Sequence, residues 1–326
     1  MSFKFKAFLS LPLTTLCIAG FAQSVNPPQP GTLNYVEGSV SLAGSPLTTH
    51  SVGTTTLQPD QVIETQVGRT EVLLTPGVFL RLGANSALKI VSPDLTHTEV
   101  ALIRGKADVE VDQIYKENDI LVDQEGTQTQ LLKSGLYAFN MQNHSMRVFD
   151  GKAAVFPINA ADNAKPVIVK GGHKLLLNGE LAKPVHFDKD RAKDGLYAWS
   201  SLRSEYLGAA NESLASEYAG VDGFDPGWFW DQNLLGYTWL PGDGRMFSPF
   251  GFGFYSPFYL NGGGFMYGHG YYGRGNYGRG GYGSRGSFGE RGGRVGGRPG
   301  VGMGGGGFHG GGGFHGGGHG GGGGHR

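Results

Sequence analysis

Histidine and carboxylate spacing are the first places to look for chemistry in this chain. His309, His315, His319 and His325 stud a glycine-rich C-terminal stretch, with His269 further back. Imidazole is the commonest nitrogen ligand for Zn²⁺, Ni²⁺ and Cu²⁺, and four along a pliant stretch can gather one ion. No Cys or acidic residue stands near them as a co-ligand. The pattern therefore points to a weak, opportunistic metal site, not to a closed structural zinc. Asp108, Glu110 and Asp112 recur at period two, which puts three carboxylates on one face of a strand. Such a set can serve as acid and base or bind Ca²⁺. The expectation is plainer: a solvated strand face, with Val109 and Val111 turned inward.

Catalysis finds little support elsewhere. His50, His97, His144, His173 and His186 have no nucleophile at a recognisable spacing, and G-x-S-x-G, P-loop and H-E-x-x-H motifs are absent. Cys17 is the only cysteine. It falls in a leader, so the mature chain is expected to lack disulfides, thiol chemistry and Cys-ligated zinc. A non-enzymatic protein without a cofactor is expected.

Aromatic and cationic residues carry the binding signals. All four Trp lie between positions 199 and 239. Trp199, Arg203, Trp228, Trp230 and Trp239 are the candidate interaction residues, and Trp199 and Arg203, one helical turn apart, suit a stacked arginine. Pro226 to Trp230, Tyr237 to Pro241 and Ser248 to Pro257 show neither strand nor helix period. They form either a surface that touches sugars, peptides or headgroups, or a strap across the rest of the fold. Further on, Tyr271-Tyr272-Gly273-Arg274, Tyr277-Gly278-Arg279 and Arg291-Gly292-Gly293-Arg294 are of RNA-binding type: Arg neutralises phosphate and Tyr stacks on bases. An exported chain does not meet RNA, so no nucleic-acid partner is expected.

The elements that must position these residues follow a clear order. Lys4 and Lys6, the apolar run Ala7 to Ala19, and Gly20-Phe21-Ala22 read as a cleaved signal peptide over 1–22. The prolines of 23–32 form a linker. From 33 to 187, short Val- and Ile-rich runs alternate with Gly and Pro turns every 8–12 residues or so, the signature of an antiparallel sheet protein. Asp188 is placed to cap a helix over 188–219, with Leu196, Trp199, Arg203, Tyr206, Ala210 and Leu214 on one face. Packing of that face on the chain's own sheet is favoured over docking to a partner. An aromatic Gly/Pro-rich junction fills 220–260, and a Gly/Arg/Tyr/His-rich tail over 261–326 is expected to be disordered. No later run is apolar enough for a membrane span.

A short motif recurs in the β region: Val36-Glu37-Gly38-Ser39-Val40, Ile103-Arg104-Gly105-Lys106-Ala107 and Phe149-Asp150-Gly151-Lys152-Ala153. Each places a Gly where a turn or bulge needs positive φ. With Leu57, Asp60 to Thr65, Arg69 to Leu74, Gly77 to Leu82, Asn85 to Leu88 and Lys170-Gly171-Gly172-His173, their order over about 36–178 resembles a FecR-like domain. The resemblance implies an all-β periplasmic domain. In iron-sensing members of that family the domain relays a signal from an outer-membrane transporter to a cytoplasmic sigma factor. This chain shows no transmembrane segment or cytoplasmic N-terminal region, so the domain is expected to act alone.

The fold class expected is all-β, an antiparallel β-sandwich or β-roll, followed by one amphipathic helix and a disordered tail. Net charge is zero, yet eight Arg face Asp243 and Glu290 after Leu240, and the 23–240 body carries 17 basic against 25 acidic groups. A body of about −8 and a tail of about +6 favour self-association or contact with an acidic envelope surface. The function expected is non-catalytic binding or scaffolding in the periplasm or at the cell surface, with an envelope protein or glycan as partner. The alternatives are signal relay to a membrane sigma regulator and metal binding by the His-rich tail.

Overall fold

The computed structural model describes residues 27–158, 165–177 and 181–262. The leader and the tail beyond 262, with His309, His315, His319 and His325, lie outside the described residues.

Fifteen strands build one β body: β1 (Leu33–Leu42), β2 (Ser45–Pro46), β3 (Val62–Thr75), β4 (Val78–Leu82), β5 (Ala87–Pro93), β6 (His97–Arg104), β7 (Lys106–Val111), β8 (Asp119–Gln124), β9 (Thr127–Leu131), β10 (Gly135–Asn140), β11 (Ser145–Asp150), β12 (Lys152–Pro157), β13 (Val167–Lys170), β14 (His173–Leu176) and β15 (Val185–His186). Hydrogen bonding orders them β13-β12-β9-β8-β6-β5-β3-β4-β7-β10-β11-β14-β15, and β1 pairs β3. The pairs are antiparallel except β6 with β8. The all-β antiparallel architecture read from the sequence is present.

Strand β3 explains how one sheet makes two layers. Its first residues, Val62–Glu64, pair with β5, and Thr70–Thr75 pair with β4. The strand thus passes from one half-sheet to the other. Gly68 marks the bend opposite Gly38 of β1, where the register shifts. A Cβ on Gly38 would lie 2.2 Å from the Val67 carbonyl oxygen, and φ there is +68°, so only glycine permits the crossing. Gly105 and Gly151 of the recurrent motif also have positive φ, as its turn geometry requires. Between the layers, Leu33, Leu57, Ile63, Leu74, Leu80, Val109 and their neighbours form one closed apolar core.

The helical region departs from a single helix. Asp188 does accept from the Asp190 and Arg191 backbone N–H groups, but α1 ends after Lys189–Ala192. The long helix α2 (Gly195–Glu217) starts afresh, its Leu196 and Tyr197 N–H groups capped by Asp194. On the expected face, Leu196, Trp199, Arg203, Ala210 and Leu214 are buried, while Tyr206 is 51% exposed. Ser200, Ser204, Leu207, Asn211 and Ala215 take part in the contact instead. The stripe turns toward residues that hydrogen-bond the sheet.

The aromatic junction, which lacks an obvious period, is ordered by pairing. Strands β16 (Gly227–Asp231) and β17 (Gly236–Leu240) form one hairpin, β18 (Arg245–Phe247) and β19 (Gly253–Tyr255) another, and α3 (Pro257–Asn261) follows. Leu73 and Phe79 on the outer sheet face pack with Leu207, Tyr237, Trp239 and Phe254, a second core. The junction is a strap over α2 and the β3–β4 face.

Candidate functional site: a sealed polar seam and an open groove along one helix

Alternation along β3, β4 and β7 sends Val72, Leu80 and Val109 inward and Glu71, Arg81 and Asp108 outward. Register aligns those three outward residues, Glu71 opposite Arg81 and Arg81 opposite Asp108. Here the sequence expectation fails. Asp108, Glu110 and Asp112 are not solvated; none is more than 4% exposed. Helix α2 reaches Asp108 with Ser200 and Glu110 with Ser204, while both carboxylate oxygens of Asp112 are buried without a hydrogen-bond partner.

The partners are specific. Arg81 donates through Nε to Glu71 Oε2 at 2.8 Å and through Nη1 to Glu110. Arg203 donates to Glu71 Oε1 at 2.9 Å, and the Asn34 amide does so at 2.8 Å. The Ser204 hydroxyl donates to Glu110 Oε1 at 2.6 Å, and the Ser200 hydroxyl to Asp108 Oδ2 at 2.8 Å. Asn34 also pairs with the Tyr237 backbone, and Asn211 with the Trp239 carbonyl and Tyr255 N–H, so the same polar grammar fixes both hairpins.

Burial and charge set the protonation states. Burial alone would raise Glu71, but the Arg203 and Arg81 guanidinium groups overcome it and hold its carboxyl at about 2. Asp108 lacks such a partner; burial pushes it up to about 7 despite the Ser200 hydrogen bond. Asp112 is pushed well up by burial and then by the adjacent Glu110 carboxylate. Asp108 and Glu110 of β7 thus form, with Glu71 and Arg81, a sealed structural seam, and Asp112 is buried just beyond the strand's end. Asp108 lines a cavity of about 10 Å³, room for roughly one water.

Above this seam the opposite flank of α2 is open. A groove of about 590 Å³ runs along it, floored by Tyr35, Trp199 and Arg203 and rimmed by Leu202, Tyr206 and Leu234. Arg203 stacks not on Trp199 but on Tyr35, 4.1 Å from the ring centroid. Trp199 packs 6.0 Å from Tyr35, donates to Glu37 at 3.2 Å and lies beneath Arg69. The expected Trp199–Arg203 stack is therefore replaced by a Tyr35-centred one, because β1 lies within reach of both.

The candidate interaction residues divide accordingly. Trp199 and Arg203 line the groove. Trp228 and Trp230 are half-buried in the first hairpin, and Trp239 is wholly buried as a core group. Sequence reasoning missed Tyr35, Glu37 and Tyr206 as groove members. The first two sit on a distant strand; Tyr206 was assigned to the buried face. Among the described residues, no His, Cys, Asp and Glu groups are placed to hold a metal ion, and no helix is long and apolar enough to cross a membrane.

No family model and no curated protein matches the sequence. Among solved structures, two crystal structures of a candidate anti-sigma factor from Parabacteroides distasonis are similar. One aligns at TM-score 0.33 and 14% identity, covering 42% of this chain and 62% of that one. The other aligns at TM-score 0.34 and 15% identity, covering 43% and 64%. The chain spans less than two thirds of either.

Proposed function

We propose that this protein is an exported, non-catalytic binding module of the cell envelope, recognising an envelope protein or glycan, with its tail serving surface or self-association. The open groove along α2 carries the reading. Its floor is aromatic, its rim exposes Leu202 and Tyr206, and its shape is held from below by a hydrogen-bonded seam, so a ligand meets a prepared surface. The clustered carboxylates Asp108, Glu110 and Asp112 are all buried, where no substrate reaches them. The signal-peptide pattern supports a periplasmic or surface location.

The test is site-specific photo-crosslinking of the full chain in intact cells. A photoreactive residue at Tyr206 is expected to yield a discrete adduct that one at exposed Ile103 of β6 does not, and Leu202→Glu is expected to abolish it. Equal adducts at both positions, or none at Tyr206, would overturn the reading.

A further inference from the structure

The charge around the groove narrows what can enter it. We propose that it takes an extended, arginine-bearing segment of a partner polypeptide; this rests on the binding reading above. Arg203 is the only basic residue of α2, and it is turned inward and neutralised by Glu71. The outer surface of the helix carries Glu205, Glu212 and Glu217, all exposed. The groove's own lining carries the carboxylates of Glu37 and Asp231; Glu205 and Glu212 stand four residues before and three after Ala209, a lining residue, and so lie next to it on the helix surface. None of the three helix glutamates is in an ion pair among the described residues.

An entering anion would meet like charge there. Arginines of an entering segment can reach Glu205 and Glu212 one at a time, since the two stand about two turns apart, and the face of the exposed Tyr206 ring attracts a cation. The groove is open and bounded by α2, β1 and the first hairpin, with room for several side chains of one segment. Leu202 and Leu234 give apolar side chains of that segment a place between the charges.

The test is titration of the full chain, followed by tryptophan fluorescence, with a synthetic Gly-Tyr-Gly-Arg repeat peptide and its citrulline counterpart. Citrulline keeps shape and hydrogen bonding but removes charge. The arginine peptide is expected to bind about fivefold more tightly, with the advantage lost in Glu205→Gln/Glu212→Gln. The advantage also shrinks as salt rises from about 0.05 M to about 0.5 M. Both glutamates are exposed, so the double variant should retain its unfolding midpoint. Equal affinity for the two peptides, no binding of either, or preference for an oligosaccharide overturns the proposal. If the Tyr206 photo-adduct forms while the arginine peptide fails, only the charge inference falls; if the adduct is absent too, the binding reading falls with it.

Discussion

Strand β7 has two buried faces built on opposite principles. Val109 and Val111 point into the space between the layers, where volume and apolarity suffice. Asp108 and Glu110 point toward α2, and their burial is tolerable only because Arg81, Ser200 and Ser204 are in reach. The apolar face makes the sheet collapse but says little about which helix covers it or in what register. The polar face does: sliding α2 by one turn would take Arg203 from Glu71 and both serines from their carboxylates. The price of that specificity is net stability, since buried ion pairs seldom exceed an apolar replacement.

The largest expected effect separates the two faces directly. Arg81→Met leaves Glu71 and Glu110 buried without the cation between them and is expected to cost about 3–5 kcal/mol. Val109→Ala, on the neighbouring strand but facing the apolar core, is expected to cost about 2 kcal/mol. Urea denaturation measures both. If Arg81→Met proved the milder of the two, the polar face would not be the interdependent one.

The pH response sharpens the contrast, because only one face titrates. Asp108, raised to about 7 by burial, binds its proton more tightly folded than unfolded. Its contribution is fully present below the unfolded pKa near 4 and is lost as pH rises through 7. Asp112 acts in the same direction. Glu71, held at about 2 against burial by Arg203 and Arg81, works oppositely, and its contribution is lost as pH falls from about 4.5 to 2. Stability should therefore peak near pH 4–5 and decline toward neutrality by a few kcal/mol at most. Asp108→Asn should flatten that decline while Ser200 still donates to the amide oxygen. Denaturation midpoints measured from about pH 4 to 8 check it, and an unchanged slope in Asp108→Asn would place the titrating group elsewhere.

The same contrast explains what could be read from the chain. The inner face follows period two, and the apolar runs and Gly turns were legible from residues such as Val78-Phe79-Leu80-Arg81-Leu82, though not the order of strands in the sheet. The outer face was misread at Asp108, Glu110 and Asp112, since a charged alternate position looks the same whether water or a helix lies beyond it. Its partners, Ser200 and Ser204, are 92 and 94 residues away and carry no hydropathy signal. Tyr35 was illegible as a groove residue for the same reason. The junction hairpins escaped because Trp228, Phe229 and Trp230 are consecutive apolar residues, half-buried on both faces, which erases alternation.

The smallest effects come from the two aspartates that start the helices, and they too divide along the seam. Asp194 caps α2 and also receives Lys106 of β7 at 2.6 Å, so it ties the helix end to the strand whose carboxylates the helix covers. Asp194→Ala should cost about 1 kcal/mol in global unfolding. Asp188 makes the same kind of cap on α1, a four-residue helix with no buried residue. Loss of that cap frays a short turn that buries no side chain, so Asp188→Ala should change global stability by less than about 0.5 kcal/mol. Hydrogen exchange separates the two outcomes. Asp188→Ala should speed exchange only around Asp190 and Arg191, whereas Asp194→Ala should lower protection along α2 as a unit. Equal and local effects from both would mean that α2 does not unfold together with the β7 seam.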